Sequence, residues 1–151
     1  MKNIAGFFAF MLLATLAHAD SVEGLWVRTK TTSSNQYWSG SAGSESNGLT
    51  RSYQGQLELT LMKLSHGNYE KTSVGDGFLL ETYPYEMQDG ASRLMIPIEG
   101  SNDKWPSNRL SASGDILTNQ YTGGNFTETY SRISKEEFET LRNQQEQMKK
   151  K

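Results

Sequence analysis

Residues 57–85 read LELTLMKLSHGNYEKTSVGDGFLLETYPY. Leu57, Leu59 and Leu61 alternate with Glu58, Thr60 and Met62, the period-two pattern of a half-buried strand. Ser65-His66-Gly67-Asn68 supplies turn residues, and Tyr69 to Val74 is the returning strand. Gly75-Asp76-Gly77 turns the chain again, into an aromatic-rich strand from Phe78 to Tyr85.

The same rhythm continues on both sides. Gln88-Asp89-Gly90 turns into Arg93 to Ile98, where Leu94, Ile96 and Ile98 alternate. A loop through Glu99-Gly100 and Asn102-Asp103-Lys104 precedes a weaker strand at Asn108 to Ser113. Ser113-Gly114-Asp115 turns into Ile116 to Tyr121, and Gly123-Gly124-Asn125 turns into Phe126 to Ile133. Upstream, Gly24 to Lys30 is a first strand. Eight strands at this spacing predict an all-β sandwich or barrel. Consecutive hairpins favour an antiparallel up-and-down meander, and closure removes its exposed edges.

Two segments stand apart. Residues 31–50 hold six Ser and three Gly around Tyr37-Trp38 and read as a flexible loop. Long loops in compact domains are usually functional or disordered. Residues 134–148 read as a C-terminal α-helix, with Ser134 and Glu137 at capping-box spacing and lysines at its end. Phe138, Leu141 and Met148 share a face that Gln145 interrupts, so the first two turns are expected to dock and the last to fray.

Residues 1–19 have the three parts of a secretory signal: Lys2, the apolar run Ile4 to Leu16, and Ala17-His18-Ala19 before Asp20. The apolar run is shorter than the roughly 20 residues that span a bilayer. Without cysteine, a lipid anchor after cleavage is excluded, and so is a disulfide framework. The expectation is a single domain over 20–151, periplasmic or secreted after signal cleavage. Cleavage removes Lys2, leaving 14 basic residues against 17 acids and a net charge near −3. Nothing in that balance suggests nucleic acid, and no later segment is apolar enough to span a membrane.

Residues 20–151 contain only 22 Leu, Ile, Val and Phe, but Tyr and Trp are plentiful. A closed sheet with a partly polar interior fits that composition better than two sheets on a dry core. Signals for catalysis are poor. His66 is the one histidine after the leader, and no nucleophile elbow, phosphate loop or set of metal ligands is present. No enzyme activity, metal or cofactor is expected.

Strand alternation gives candidate site residues. If Trp26 points inward, so do Arg28 and Lys30; if Arg132 points inward, so do Tyr130, Glu128 and Phe126. Antiparallel pairing of first and last strands would set Tyr130 near Arg28 and Glu128 near Lys30. Charges inside a barrel must be paired or serve a ligand. Arg28, Glu128 and Tyr130 are therefore candidates for holding a ligand head group, or for an internal ion pair that only closes the barrel. Tyr37 and Trp38, large aromatics in a Ser/Gly loop, are candidates for a lid or contact patch.

Gly24-Leu25-Trp26 at the first strand resembles the Gly-x-Trp opening of the lipocalins and the wider calycin barrels. The resemblance spans about residues 22–145 and includes the long first loop, the terminal helix and Arg132 after the last strand. It implies an eight-stranded antiparallel up-and-down barrel with Arg132 stacked across Trp26 at the closed end. The Thr-Asp-Tyr-like motif of lipocalins near the sixth and seventh strands is absent, and avidin-like and fatty-acid-binding barrels share the opening, so the subfamily stays open. The resemblance implies an exported binding protein for a small, partly apolar or amphipathic ligand. The alternative is a protein-binding module, such as a periplasmic inhibitor or immunity-type protein, using the loop and barrel rim.

Overall fold

The computed structural model describes residues 21–33, 40–42, 48–52, 54–123 and 125–151. The candidate signal at 1–19 and the loop aromatics Tyr37 and Trp38 lie outside the described residues. Strands run in chain order: β1 (Gly24–Ser33), β2 (Gly40–Ala42), β3 (Thr50–Arg51), β4 (Leu57–Ser65), β5 (Asn68–Val74), β6 (Phe78–Gln88), β7 (Ala91–Pro97), β8 (Lys104–Ser113), β9 (Ile116–Gln120) and β10 (Phe126–Arg132). One helix, α1 (Lys135–Lys149), follows. No described helix is long and apolar enough to cross a membrane.

β4 to β10 form an antiparallel meander, and β1 pairs with both β10 and β4, closing an eight-stranded barrel. The short β2 and β3 add to β1 and β4. Tight turns set the register. His66 and Gly67, both at positive φ, join β4 to β5 so that Ser65 faces Asn68 and Met62 faces Lys71.

The barrel has two apolar regions. Its lumen is filled at one end by Trp26, Met62, Leu64, Tyr69, Leu94, Leu110, Leu117 and Tyr130. The alternating leucines Leu59 and Leu61 instead face outward, packed with Val27 under Phe138 of α1. The most conspicuous apolar stripe in the sequence therefore marks the helix-covered face of the sheet rather than its lumen.

The filled end is closed by a compact arrangement. Trp26 is fully buried, and its indole Nε1 donates to the Val22 carbonyl at 3.1 Å. The Arg132 guanidinium lies 4.3 Å from the Trp26 ring centroid and donates to the Glu23 carbonyl. Such a stack is worth about 0.5–2 kcal/mol. Gly24 is required beside it: its φ is +148°, and a Cβ there would collide with Arg132 Nη1.

Four details differ from expectation. β1 runs on to Ser33, because Thr31, Thr32 and Ser33 pair with Glu128, Thr127 and Phe126 of β10. β8 begins at Lys104 rather than Asn108 and takes in Pro106. Proline lacks the ladder N–H and is confined to edges and bulges, and the β7–β8 register does shift beside it, between Arg93 and Met95. A bulge at Thr29 follows Arg28, turning Lys30 outward and Thr31 inward, so Lys30 is exposed and Glu128 pairs with Thr31. Finally, α1 stays ordered to Lys149. Gln145 does not interrupt its docking but secures it: Nε2 donates to the Leu59 and Thr72 carbonyls at 2.9 and 3.1 Å, and Thr72 Oγ1 donates to Oε1 at 3.0 Å.

Candidate functional site

The barrel interior changes character along its axis. Above the apolar end, the inward positions of β1, β5, β6, β9 and β10 are Arg28, Lys71, Glu81, Asn119 and Glu128. One layer nearer the mouth stand Glu58, Ser73, Leu79, Tyr121 and Phe126. An open cavity of about 540 Å³ occupies this end. Arg28, Lys71 and Glu128 lie at its base, Glu58 and Glu81 on its wall, and Phe78, Leu79 and Phe126 around its lip.

Glu128 is the hub of the base and has no solvent exposure. Its Oε2 accepts from Arg28 Nη1 at 2.8 Å and from Lys71 Nζ at 3.2 Å. Its Oε1 accepts from Lys71 Nζ, Asn119 Nδ2 and the Tyr130 hydroxyl at 3.0 Å each, and from the Tyr121 hydroxyl at 3.1 Å. Burial alone would push this carboxyl up. Lys71 and Arg28, by charge and hydrogen bonds, outweigh burial and hold it at about 2. A carboxylate so satisfied keeps its charge at neutral pH.

The two cations are also tied down. Arg28 donates through Nε to Thr50 Oγ1 and through Nη2 to Glu58 Oε2, each at 2.9 Å. Lys71 Nζ donates to the Tyr121 hydroxyl at 2.7 Å. Burial works against the charge of both, but Glu128 reverses the balance and raises both pKa values. Tyr130 and Tyr121 are pushed upward, by burial and then by Glu128, so their hydroxyls keep their protons and serve as donors. The wall is less settled. Among the described residues Glu81 accepts one long hydrogen bond, from the Tyr69 hydroxyl at 3.5 Å.

The expected trio of Arg28, Glu128 and Tyr130 does come together, with Arg28 opposite Tyr130 in the ladder and Glu128 bonded to both. Tyr130 is fully buried beneath the base and does not line the cavity. Sequence reasoning missed Lys71, Glu58, Tyr121, Asn119 and Glu81. Their signal was present in the turn registers. The His66-Gly67 turn and the inward Met62 imply an inward Lys71, and the β9–β10 register sets Asn119 across from Glu128.

Compared with known proteins, the chain matches no family model, no curated protein and no solved structure.

Proposed function

We propose that this protein is an exported, calycin-like binding protein that takes one small amphipathic molecule into the open end of its barrel. The observation that carries this reading is the cavity itself. Its volume of about 540 Å³ falls in the usual range for small-molecule pockets, and it combines a few convergent polar groups with an apolar lip. Small eight-stranded barrels can hold one such ligand. The stacked Arg132 and Trp26 seal the far end, so entry is from the mouth. Binding, rather than catalysis, is the use this base suits. A carboxylate held near 2 and surrounded by donors neither gives nor takes a proton at neutral pH. In this reading Arg28 and Glu128 are a preorganised base for the ligand's polar end, and Tyr130 holds Glu128 in place. The leader-like residues 1–19 support the exported setting, periplasmic or extracellular.

One observation favours the second reading, a protein-binding module. Leu57, Phe78, Leu79 and Leu80 are each 41–54% exposed and gather where β4 and β6 begin beside the end of β5. An exposed apolar patch at a rim suits a partner surface as well as a ligand's entrance.

Native mass spectrometry and solvent extraction of protein purified from an exporting host separate the two. Ligand binding predicts a stoichiometric small molecule that leaves on extraction. A mass equal to the bare chain, together with a protein partner shielding Phe78 and Leu80 from labelling, would replace the first reading with the second.

A further inference from the structure

The reading of the mouth as a ligand cavity can be taken one step further, to the charge of the ligand. Six charged side chains border the cavity: Arg28 and Lys71 are positive, while Glu58, Glu81, Glu128 and Asp76 are negative. Both cations are already committed, Arg28 to Glu58 and Glu128, and Lys71 to Glu128. These four charges balance, which leaves Glu81 on the wall and Asp76 at the lip. Lys149 adds no cation to the interior, for it lies 3.8 Å from the Phe78 ring centroid and pairs with Glu146.

The hydrogen-bond count leads to the same place by a separate route. Asn119 is fully buried, yet its Oδ1 accepts from none of the described residues. Glu81 accepts one bond at the outer limit of length. Asn119 does not line the cavity, so Glu81 is the under-satisfied acceptor of this layer that a guest can reach. A guest that brings N–H groups complements that carboxylate. An anion would face Glu81 and Asp76, two carboxylates that form no ion pair among the described residues.

We propose that the cavity selects a protonated amine carrying an apolar tail, with the ammonium against the Glu81 carboxylate and the tail along Phe78, Leu79 and Phe126. This rests on the ligand-binding reading above, and the experiment is arranged so that the two fail separately. Octylamine, 1-octanol and sodium octanoate are titrated into the protein at pH 7 and fixed ionic strength by calorimetry. The chains match, and the amine is protonated, as lysine is. The expected order is octylamine first, at least about tenfold tighter than 1-octanol, with octanoate weakest. Glu81→Gln, which keeps the shape of the side chain, is expected to remove the amine's advantage over 1-octanol. Octanoate binding tighter than 1-octanol, or an amine affinity indifferent to Glu81→Gln, would overturn the proposal and leave a ligand cavity of other preference. Binding by none of the three would overturn both. The three-probe comparison on the unaltered protein decides the matter even if the variant folds poorly.

Discussion

Glu128→Gln is the substitution that bears hardest on the buried cluster. The amide is nearly the same size, so packing around it is preserved, but the charge goes and an acceptor oxygen becomes a donor NH₂. Arg28 keeps Glu58 and Thr50 at 2.9 Å each. Lys71 loses its one ion pair among the described residues and is left buried against the Tyr121 hydroxyl. The new NH₂ must also face Asn119, Tyr130 and Tyr121, which all donate to the native carboxylate. Removing one partner of a buried pair costs about 3–5 kcal/mol. For a domain of this size that is a fall in Tm of roughly 10–20 °C. Urea unfolding at pH 7, followed through tryptophan fluorescence, measures the loss. In the variant the unpaired Lys71 should give up its proton more readily, so the deficit should shrink as pH rises. Lys71→Met in the Glu128→Gln background should recover part of it. A loss below about 1 kcal/mol, or single substitutions whose costs simply add, would refute the claim that these charges depend on one another.

Two further outcomes are expected. Glu128 has its folded pKa depressed to about 2 from an ordinary 4.5, so its contribution is complete above 4.5 and is lost as pH falls toward 2. That stability is on the order of 3 kcal/mol, and a pH series of urea midpoints should show it disappearing across this window in the native protein but not in Glu128→Gln. Gln145→Ala is expected to cost about 1–3 kcal/mol by leaving the Leu59 and Thr72 carbonyls without their side-chain donor. Hydrogen exchange should then quicken in the last turns of α1, and unchanged protection there would show that Phe138 and Leu141 hold the helix without it.

Much of the barrel was legible because its turns are chemical. His66-Gly67, Asp89-Gly90 and Gly114 mark reversals that only a few residue types tolerate, and all fall between strands. The juxtaposition of Arg28 and Tyr130 follows from alternation and from the antiparallel meeting of the first and last strands. Lys30 did not follow, because a bulge at Thr29 shifts the register by one residue and leaves no mark in side-chain type. Lys71 and Glu81 escaped notice for a related reason. A single charged residue in a strand reads as solvent-facing until the neighbouring strand fixes its parity. Gln145 was misjudged because a polar residue on an apolar helix face reads as a gap, whereas here it reaches backbone carbonyls that no leucine could serve. Leu57, Leu59 and Leu61 were correctly read as strand, but periodicity alone cannot say whether the buried face lies inside a barrel or beneath a helix.

The central claim, that the open end of the barrel receives a ligand, is tested most directly by amide NMR of the labelled protein titrated with octylamine and, separately, with 1-octanol. Saturable shifts are expected, concentrated at residues 71–81 and 121–128, with the Trp26 end unmoved. Shifts confined to the outer face of α1, or none at either ligand's solubility limit, would contradict it.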